Sequence, residues 1–559
     1  MGRIIQTTLQ FCLLLIISSS TIQAQQLAKE WPEETVHLTS NSQTFLAGEK
    51  LLYSCVLTNN NETSYLSKVL YVELFDETNT SIFKHKLQVA NGKANSDYFI
   101  PTSLSTGHYK LVAYTMLSQY NAKQPFAEKD VYVINTFKTY NKPERSTATI
   151  AYDSVVKGSK TSVVSIETST STLNKRDELT INVMPKKDDI LFASLSVRED
   201  LPIKVNEDTN ADNIQPITNY NAIPELRGEI ISGTVSGPSG NLQDVNVSLS
   251  MPGEDFINLQ AITNTSGKFY FVLNAPYKSQ NAVVSINEAS FPNASINLDD
   301  KAFKFKNQLN YNTVAVSETV NSWLLQKSID LQIENAFYEA KKDTILEPKF
   351  SDKFYEPLGE TFVLDEYTRF GTVRETFIEV INLAGFRKTD DGYNLLVYNY
   401  DNEDETVSQS EEPPLILIDG FKQYNTKALI NLDPYTIENI TIVPEQYRRG
   451  SQIYNGVVSV VTKEKDFYPN TLDASAKEIT LQALEYDKSY FTPNYKENSE
   501  KNIPDFRAQL FWKPSIPLKP TTFKVVTADK TGRYEINVSG LLKNGEPFEN
   551  VIYVEVQEK

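Results

Sequence analysis

PLILIDGFKQYNTKALINLDPYTIENITIVPEQYRRGSQIYNGVVSVVTK, residues 414–463, contains three short apolar runs separated by turn chemistry. The first, Leu415 to Ile418, has no polar alternation and so reads as a strand buried on both faces. It stops at Asp419-Gly420, a pair suited to a tight turn because glycine takes positive φ freely and aspartate hydrogen-bonds its own backbone. A second run, ENITIV (438–443), and a third, Val457 to Val461 after the turn-prone Gly450 and Gly456, read as further strands. Together these runs predict a small, compact mixed sheet. Both turns are expected at one end of it, which makes Asp419, Gly420, Arg448, Arg449 and Gly450 the candidate partner-contact residues. Turn formation alone is the competing role for each.

Working outward, most of the chain alternates short Val-, Ile-, Tyr-, Phe- and Thr-rich runs with Gly, Asn, Asp and Ser clusters, the pattern of antiparallel β-domains. The fold class is therefore mainly β. In LSTGHYKLVAYT (104–115), Tyr109, Leu111 and Ala113 share one strand face. In TNTSGKFYFVL (263–273), Gly267 sits in a turn, and Phe269 and Phe271 point into a core. TTFKVVTADKTGRYEINVSGLLKNGE (521–546) reads as a hairpin. Two stretches have helical spacing instead. Residues 315–342 predict one amphipathic helix that packs Val320, Trp323, Leu324, Ile329, Leu331, Ile333 and Phe337 against a neighbouring domain, and 374–385 predict another that stops at Gly385.

These pieces resemble known modules. Residues 414–463, preceded by YTRFGTVRETFIEVI (367–381), resemble the plug domain of outer-membrane TonB-dependent receptors. Such a receptor needs about 22 barrel strands, and roughly a hundred residues follow Lys463, so no barrel is expected in this chain. FLAGE (45–49) and LSTGHYKLVAYT are similar to macroglobulin-like domains, and residues 160–198 to a second, smaller unit of that kind. PELRGEIISGTVSGPSG (224–240) with TNTSGKFYFVL is similar to the carboxypeptidase regulatory-like domain, a module without catalytic residues. The combination resembles exported Bacteroidetes proteins that carry these modules without a barrel. It implies tandem Ig-like or macroglobulin-like β-sandwiches plus a small α/β plug-like domain. The implied division is a signal peptide (1–24), a macroglobulin-like sandwich (25–140), a second macroglobulin-like domain (141–222), a regulatory-like sandwich (223–310), a helical connector (311–360), the plug-like domain (361–466) and a C-terminal β-domain (467–559).

Composition narrows the function. Residues 1–24, with Arg3, an apolar core and Ala24, have the layout of a cleavable signal peptide, and no later run reaches the ~20 apolar residues of a membrane-spanning helix. A formal charge of −17 opposes nucleic-acid binding. Cys55, the one cysteine outside the signal segment, lies among apolar neighbours and reads as an inert core thiol. It also lacks the Cys-Gly-Glu-Gln run of a macroglobulin thioester. His37, His85 and His108 have no second ligand at metal spacing, and the acidic run DNEDET (401–406) lacks the pattern of a calcium loop. No catalytic residue, cofactor or metal is expected. The reading is a non-enzymatic binding or scaffold protein of the Gram-negative envelope, in the periplasm or at the outer membrane, whose partner is an outer-membrane β-barrel protein. A secreted hydrolase with an acidic site, or a glycan-binding surface protein, is the alternative.

Overall fold

The computed structural model describes residues 31–558 except 122, 141–142, 154–162, 187, 208–222, 239–241, 288, 306–308, 391, 402–405, 409–411, 451, 470–471 and 497–501. The signal segment and most of DNEDET lie outside the described residues. The fold is mainly β, built from small sheets packed in pairs.

The N-terminal sandwich packs the strands Thr35–Ser40, Lys50–Asn59 and Lys93–Phe99 on a second sheet holding Ala127–Ile134, Gly107–Tyr114, Val69–Phe75 and Ser81–Gln88. Alternation decides the faces. Leu51, Tyr53, Cys55 and Leu57 meet Tyr109, Leu111 and Ala113 in the core. Tyr71, Val112 and Tyr114 point the other way and are covered by Phe303, Phe305 and Leu309. Cys55 is fully buried, and burial pushes its thiol pKa well up. A middle sandwich pairs the sheet of Glu229–Ser236, Lys268–Leu273 and Ser295–Leu298 with that of Asn246–Met251, Ile257–Ile262 and Asn281–Ile286. Phe269 and Phe271 lie in its core, as their alternation predicts.

The stretch 160–199 does not close a sandwich of its own. Val164–Thr168 and Glu178–Pro185 pair with Thr521–Val526, and Ile190–Glu199 lies between Gly532–Leu542 and Gln509–Lys513, with Pro547–Gln557 beyond. Leu195 and Val197 share one core with Ile536, Val538 and Val554. The boundaries 141–222 and 467–559 thus separate two halves of one sandwich. Neither half has enough strands to cover both faces of its apolar core. The rest of 467–559 is divided among other bodies: Lys477–Thr480 extends the middle sandwich, Leu484–Glu485 extends the N-terminal one, and Lys488–Ser489 pairs with Thr344–Ile345.

The connector helix spans Asn321–Ala336 and is shorter than its apolar periodicity predicts. Leu324 and Leu331 pack on Ala148, Ile150, Ile203 and Val314, but Ile329 and Phe337 are exposed. Lys327 and Asp330 take the buried positions because buried counter-charges await them. No helix among the described residues is long and apolar enough to cross a membrane.

The mixed sheet has the strand order Glu360–Val363, Ile437–Val443, Val457–Thr462, Leu415–Ile418 and Phe421–Gln423. Leu415–Ile418 runs parallel to its Val457 neighbour, and the other pairs are antiparallel. The preceding helix covers only Val373–Glu379, started by a Thr372–Glu375 capping box. Gly385 does not stop it but lies in the strand Ala384–Thr389.

Deleting residues 503–559 tests the shared sandwich. Hydrogen-exchange protection is expected to vanish across Glu178–Pro185 and Ile190–Glu199 while persisting in Glu229–Ser236. Retained protection in the first two strands would mean that the N-terminal half folds alone.

Candidate functional site at the sandwich and mixed-sheet junction

The turn after Leu415–Ile418 is occupied within the molecule. Asp419 takes φ 46° and is 1 % exposed. Its carboxylate accepts from the Thr462 amide at 2.8 Å, from the Thr462 hydroxyl and from the Phe467 amide at 3.0 Å. Gly420, at φ 82°, lies so close to Phe256 of the middle sandwich that a Cβ would stand 2.2 Å from its ring. The backbone joins in, as the Gly253 amide donates to the Asp419 carbonyl at 3.2 Å.

The second turn meets the strand Ile257–Ile262, which follows directly on the loop holding Gly253 and Phe256 in the middle sandwich. Arg449 donates to the Asn258 carbonyl and stacks its guanidinium 4.0 Å from the Phe354 ring centroid. A Cβ on Gly450 would meet the Gln260 carbonyl at 2.8 Å. The two turns do not share one end of the sheet, since Asp419 lies beside Thr462 and the Tyr447–Arg449 hairpin lies beyond the Val443–Val457 pair, but both rest on the middle sandwich of this chain. Asp419 and Gly420 are buried by it and Arg449 is half-buried against it, so these three are docking residues within the molecule and are not available as outward contacts. Arg448 keeps an exposed side chain, and Gly450 an exposed backbone.

Beside this interface lies a cavity of about 1070 Å³, lined by Asn246, Tyr393, Lys422, Tyr424 and Tyr454 among others. Lys422 is its chemical centre. The strand Phe421–Gln423 docks on Asn246–Met251, and the Lys422 amide donates to Ser250 Oγ at 3.2 Å. That docking carries the side chain inside, where Nζ donates to Gln260 Oε1 at 2.9 Å and to the Tyr454 hydroxyl at 3.0 Å. The Tyr424 ring centroid is 4.7 Å away. All these partners are neutral, so burial is uncompensated and draws the amine pKa down to about 7. Near neutral pH the group therefore passes between ammonium and neutral amine. Tyr424 and Tyr454 are pushed the opposite way by burial and stay protonated.

Lys422, Tyr424 and Tyr454 were not among the residues singled out in the sequence. The available signal was a lysine between Phe421 and Tyr424 in a hairpin otherwise built to be buried. The histidines occupy structural bonds. His37 and His85 pair with the Thr58 and Tyr53 hydroxyls at 2.9 and 2.7 Å, burial lowering both pKa values to about 4, and His108 meets Asp130 at 2.8 Å. Among the described residues no three His, Cys, Asp or Glu side chains converge as a metal site.

No protein-family model matches the sequence, and no curated protein matches it either. Among solved structures, the chain is similar to Salmonella alpha-2-macroglobulin reacted with methylamine, at 10% identity and a TM-score of 0.23, covering 94% of this chain and 40% of that one. It is also similar to the native conformation of E. coli alpha-2-macroglobulin, at 10% identity and a TM-score of 0.23, covering 95% and 40%. The trypsin-activated Escherichia coli protein gives 9% and 0.22, covering 94% and 42%. The chain thus spans about two-fifths of the length of the structures it matches.

Two substitutions separate docking from display. Asp419→Ala strands three buried donors and is expected to cost about 2–5 kcal/mol, read as lost exchange protection across Val457–Thr462. Arg448→Ala should stay within about 0.5 kcal/mol.

Lys422→Met tests the uncompensated lysine. With the folded pKa near 7 and the unfolded value near 10.5, the native state holds fewer protons than the unfolded chain between those limits. The burial penalty is therefore full below pH ~7 and fades as pH rises toward ~10.5. Lys422→Met should stabilise the protein most at pH ~6, by at most about 5 kcal/mol, and progressively less at pH ~9–10, as measured by urea denaturation. The Tyr454 hydroxyl already lies 3.4 Å from Gln260 Oε1, so the pair left behind can satisfy itself.

Proposed function

We propose that this chain is an exported, non-enzymatic binding or scaffold protein of the Gram-negative envelope, and that its mixed sheet, the part resembling a receptor plug, associates with an outer-membrane β-barrel protein. The observation that carries the reading is an asymmetry of that sheet. One edge, Phe421–Gln423, is held against the middle sandwich through Ser250 and the Asp419 turn. The opposite edge, Glu360–Val363, pairs among the described residues only with Ile437–Val443.

Beyond that free edge the apolar groups face solvent. Val363 is exposed at its end, Arg369 donates to the Pro434 and Ile437 carbonyls at 2.6 and 2.8 Å, and Tyr367 and Tyr435, each two residues or fewer from those bonds, are exposed. Ile378 on the following helix is 70 % exposed. A free edge strand beside aromatic and aliphatic side chains can bind another protein by strand addition and apolar burial. The partner face is accordingly this edge, and the turns at Asp419 and Arg449 serve the internal dock.

A photo-reactive amino acid placed at Ile378 or Tyr435 in the native host tests this reading. Each is expected to trap an outer-membrane protein whose electrophoretic mobility changes on heating, the mark of a barrel, while the same probe at exposed Leu325 on the connector helix should not. A protein recovered as a free monomer, with no envelope protein trapped at either position, would overturn the proposal.

A further inference from the structure

A second cavity, of about 580 Å³, lies where the N-terminal sandwich, the shared sandwich, the connector helix and residues 487–492 meet. Its volume is that of a small-molecule pocket. Three side chains lining it hold buried polar atoms with no hydrogen-bond partner: Arg198 Nε, Trp512 Nε1 and the Tyr490 hydroxyl. Register explains why two of them face inward. Trp512 pairs with Ser196, and Ser196 and Arg198 alternate away from Leu195 and Val197, which belong to the core. Arg198 and Trp512 are 6 % and 5 % exposed.

All three orphan groups can donate, and two of them, the indole and guanidinium N–H, can only donate. One water can accept from the indole and guanidinium N–H and donate to the phenol oxygen, but it leaves the tyrosine proton without an acceptor, whereas the two oxygens of a carboxylate can accept from all three. Charge points the same way. Lys50, Lys341, Lys488 and Arg507 on the cavity wall have carboxylate partners at 2.5–2.8 Å. Arg198 has only Glu49, at 3.9 Å, and that carboxylate is shared with Lys327 at 3.4 Å and with the Leu46 amide at 2.8 Å. The pocket therefore holds one weakly compensated buried cation and three unused donors.

We infer that this cavity binds a carboxylate-bearing ligand, with Arg198, Trp512 and Tyr490 donating to the carboxylate and its apolar body lying against Phe99. A monoanion places one charge beside Arg198 and the exposed Lys513, whereas a phosphate dianion would bring a second negative charge onto a wall that already carries Glu49, Glu334, Asp343 and Asp487. The same chemistry is supplied by a free organic acid or by the C-terminal carboxylate of a peptide. This site is distant in the fold from the proposed barrel-facing edge and does not depend on that proposal.

The test uses the mature full-length protein with its three tryptophans fluorine-labelled, the Trp512 resonance being assigned by Trp512→Phe. Phenylacetate and an acetylated tripeptide ending in a free phenylalanine carboxylate are titrated beside phenylacetamide, the tripeptide amide and phenyl phosphate. Either free acid is expected to shift the Trp512 resonance saturably, and the tighter of the two identifies the source. The amides and the phosphate are expected to bind at least about tenfold more weakly. Tyr490→Phe removes one hydroxyl without changing shape and should weaken acid binding about five- to tenfold, and Arg198→Gln should weaken it more. Equal binding of acid and amide, unchanged affinity in Tyr490→Phe, or no saturable shift with either acid up to ~10 mM, as when ordered water alone fills the site, would each overturn the inference.

Discussion

Six charged side chains, five buried and Lys530 half-buried, lie between the N-terminal sandwich, the shared sandwich and the connector helix and fix how these bodies sit together. Lys327 reaches Glu199 at 2.6 Å and Glu49 at 3.4 Å, and Lys530 reaches Glu199 at 2.7 Å and Asp330 at 2.5 Å, while Arg198 faces Glu49. Three cations meet three carboxylates. Burial alone would raise the Glu199 pKa, but Lys327 and Lys530 outweigh it and hold the carboxyl below its usual range. Lys530 is raised in return, its carboxylate partners outweighing its own burial. Such a network adds little net stability over a well-packed apolar contact, yet breaking one arm leaves a buried charge that costs about 3–5 kcal/mol. Its contribution is placement. Apolar faces tolerate sliding, whereas paired charges at 2.5–2.7 Å do not.

That placement is reinforced by the path of the C-terminal segment. Between Lys477 and Ser489 the chain adds a strand to the middle sandwich, another to the N-terminal sandwich and a third to Thr344–Ile345. It then supplies most of the second half of the shared sandwich. Pairings such as Leu195 with Val538 span more than half the sequence. Contacts of that separation form late because loop closure must precede them. The middle sandwich is mostly local in sequence and is complete before the shared one can be, so the chain is read as separate modules but closes as one interlocked body.

What could be read in the sequence was what depends on a residue's own neighbours. Alternation placed Phe269 and Phe271 in a core and Tyr109, Leu111 and Ala113 on one strand face, which is the buried one, and the runs flanking Asp419-Gly420 and Gly456 gave the strands of the mixed sheet, because period and turn chemistry are local properties. The pairing of Ile190–Glu199 with Gly532–Leu542 was not legible, since any strand of that composition could complete any sandwich. The connector helix shows the same limit from another side. Its periodicity selected Ile329 and Phe337 for burial, but the helix turns Lys327 and Asp330 inward because Glu199 and Lys530, far away in sequence, compensate them. Asp419 looked like an exposed turn residue for a related reason. Its three donors come from Thr462 and Phe467, more than forty positions downstream.

Each junction between bodies is keyed by a buried lysine, and the three differ in what answers the charge. Lys86, on the N-terminal sandwich, meets Glu229 of the middle sandwich at 2.7 Å and the Tyr277 hydroxyl, so that burial draws its pKa down while Glu229 pulls it back. Lys327 has two carboxylates. Lys422, between the middle sandwich and the mixed sheet, has none, only amide and phenol oxygens. Separating either of the first two junctions in water must break an ion pair that the interior strengthens. Separating the third returns an ammonium to water, which favours that group. The mixed sheet is therefore held to the rest of the molecule by shape and hydrogen bonds, through Phe256 against Gly420, the Gly253 amide on the Asp419 carbonyl and Arg449 on the Asn258 carbonyl, with the Lys465–Glu254 pair at 3.2 Å on its exposed rim and the buried Lys422 charge working against the contact. The close approach at Gly420 thus does at this junction what carboxylates do at the other two.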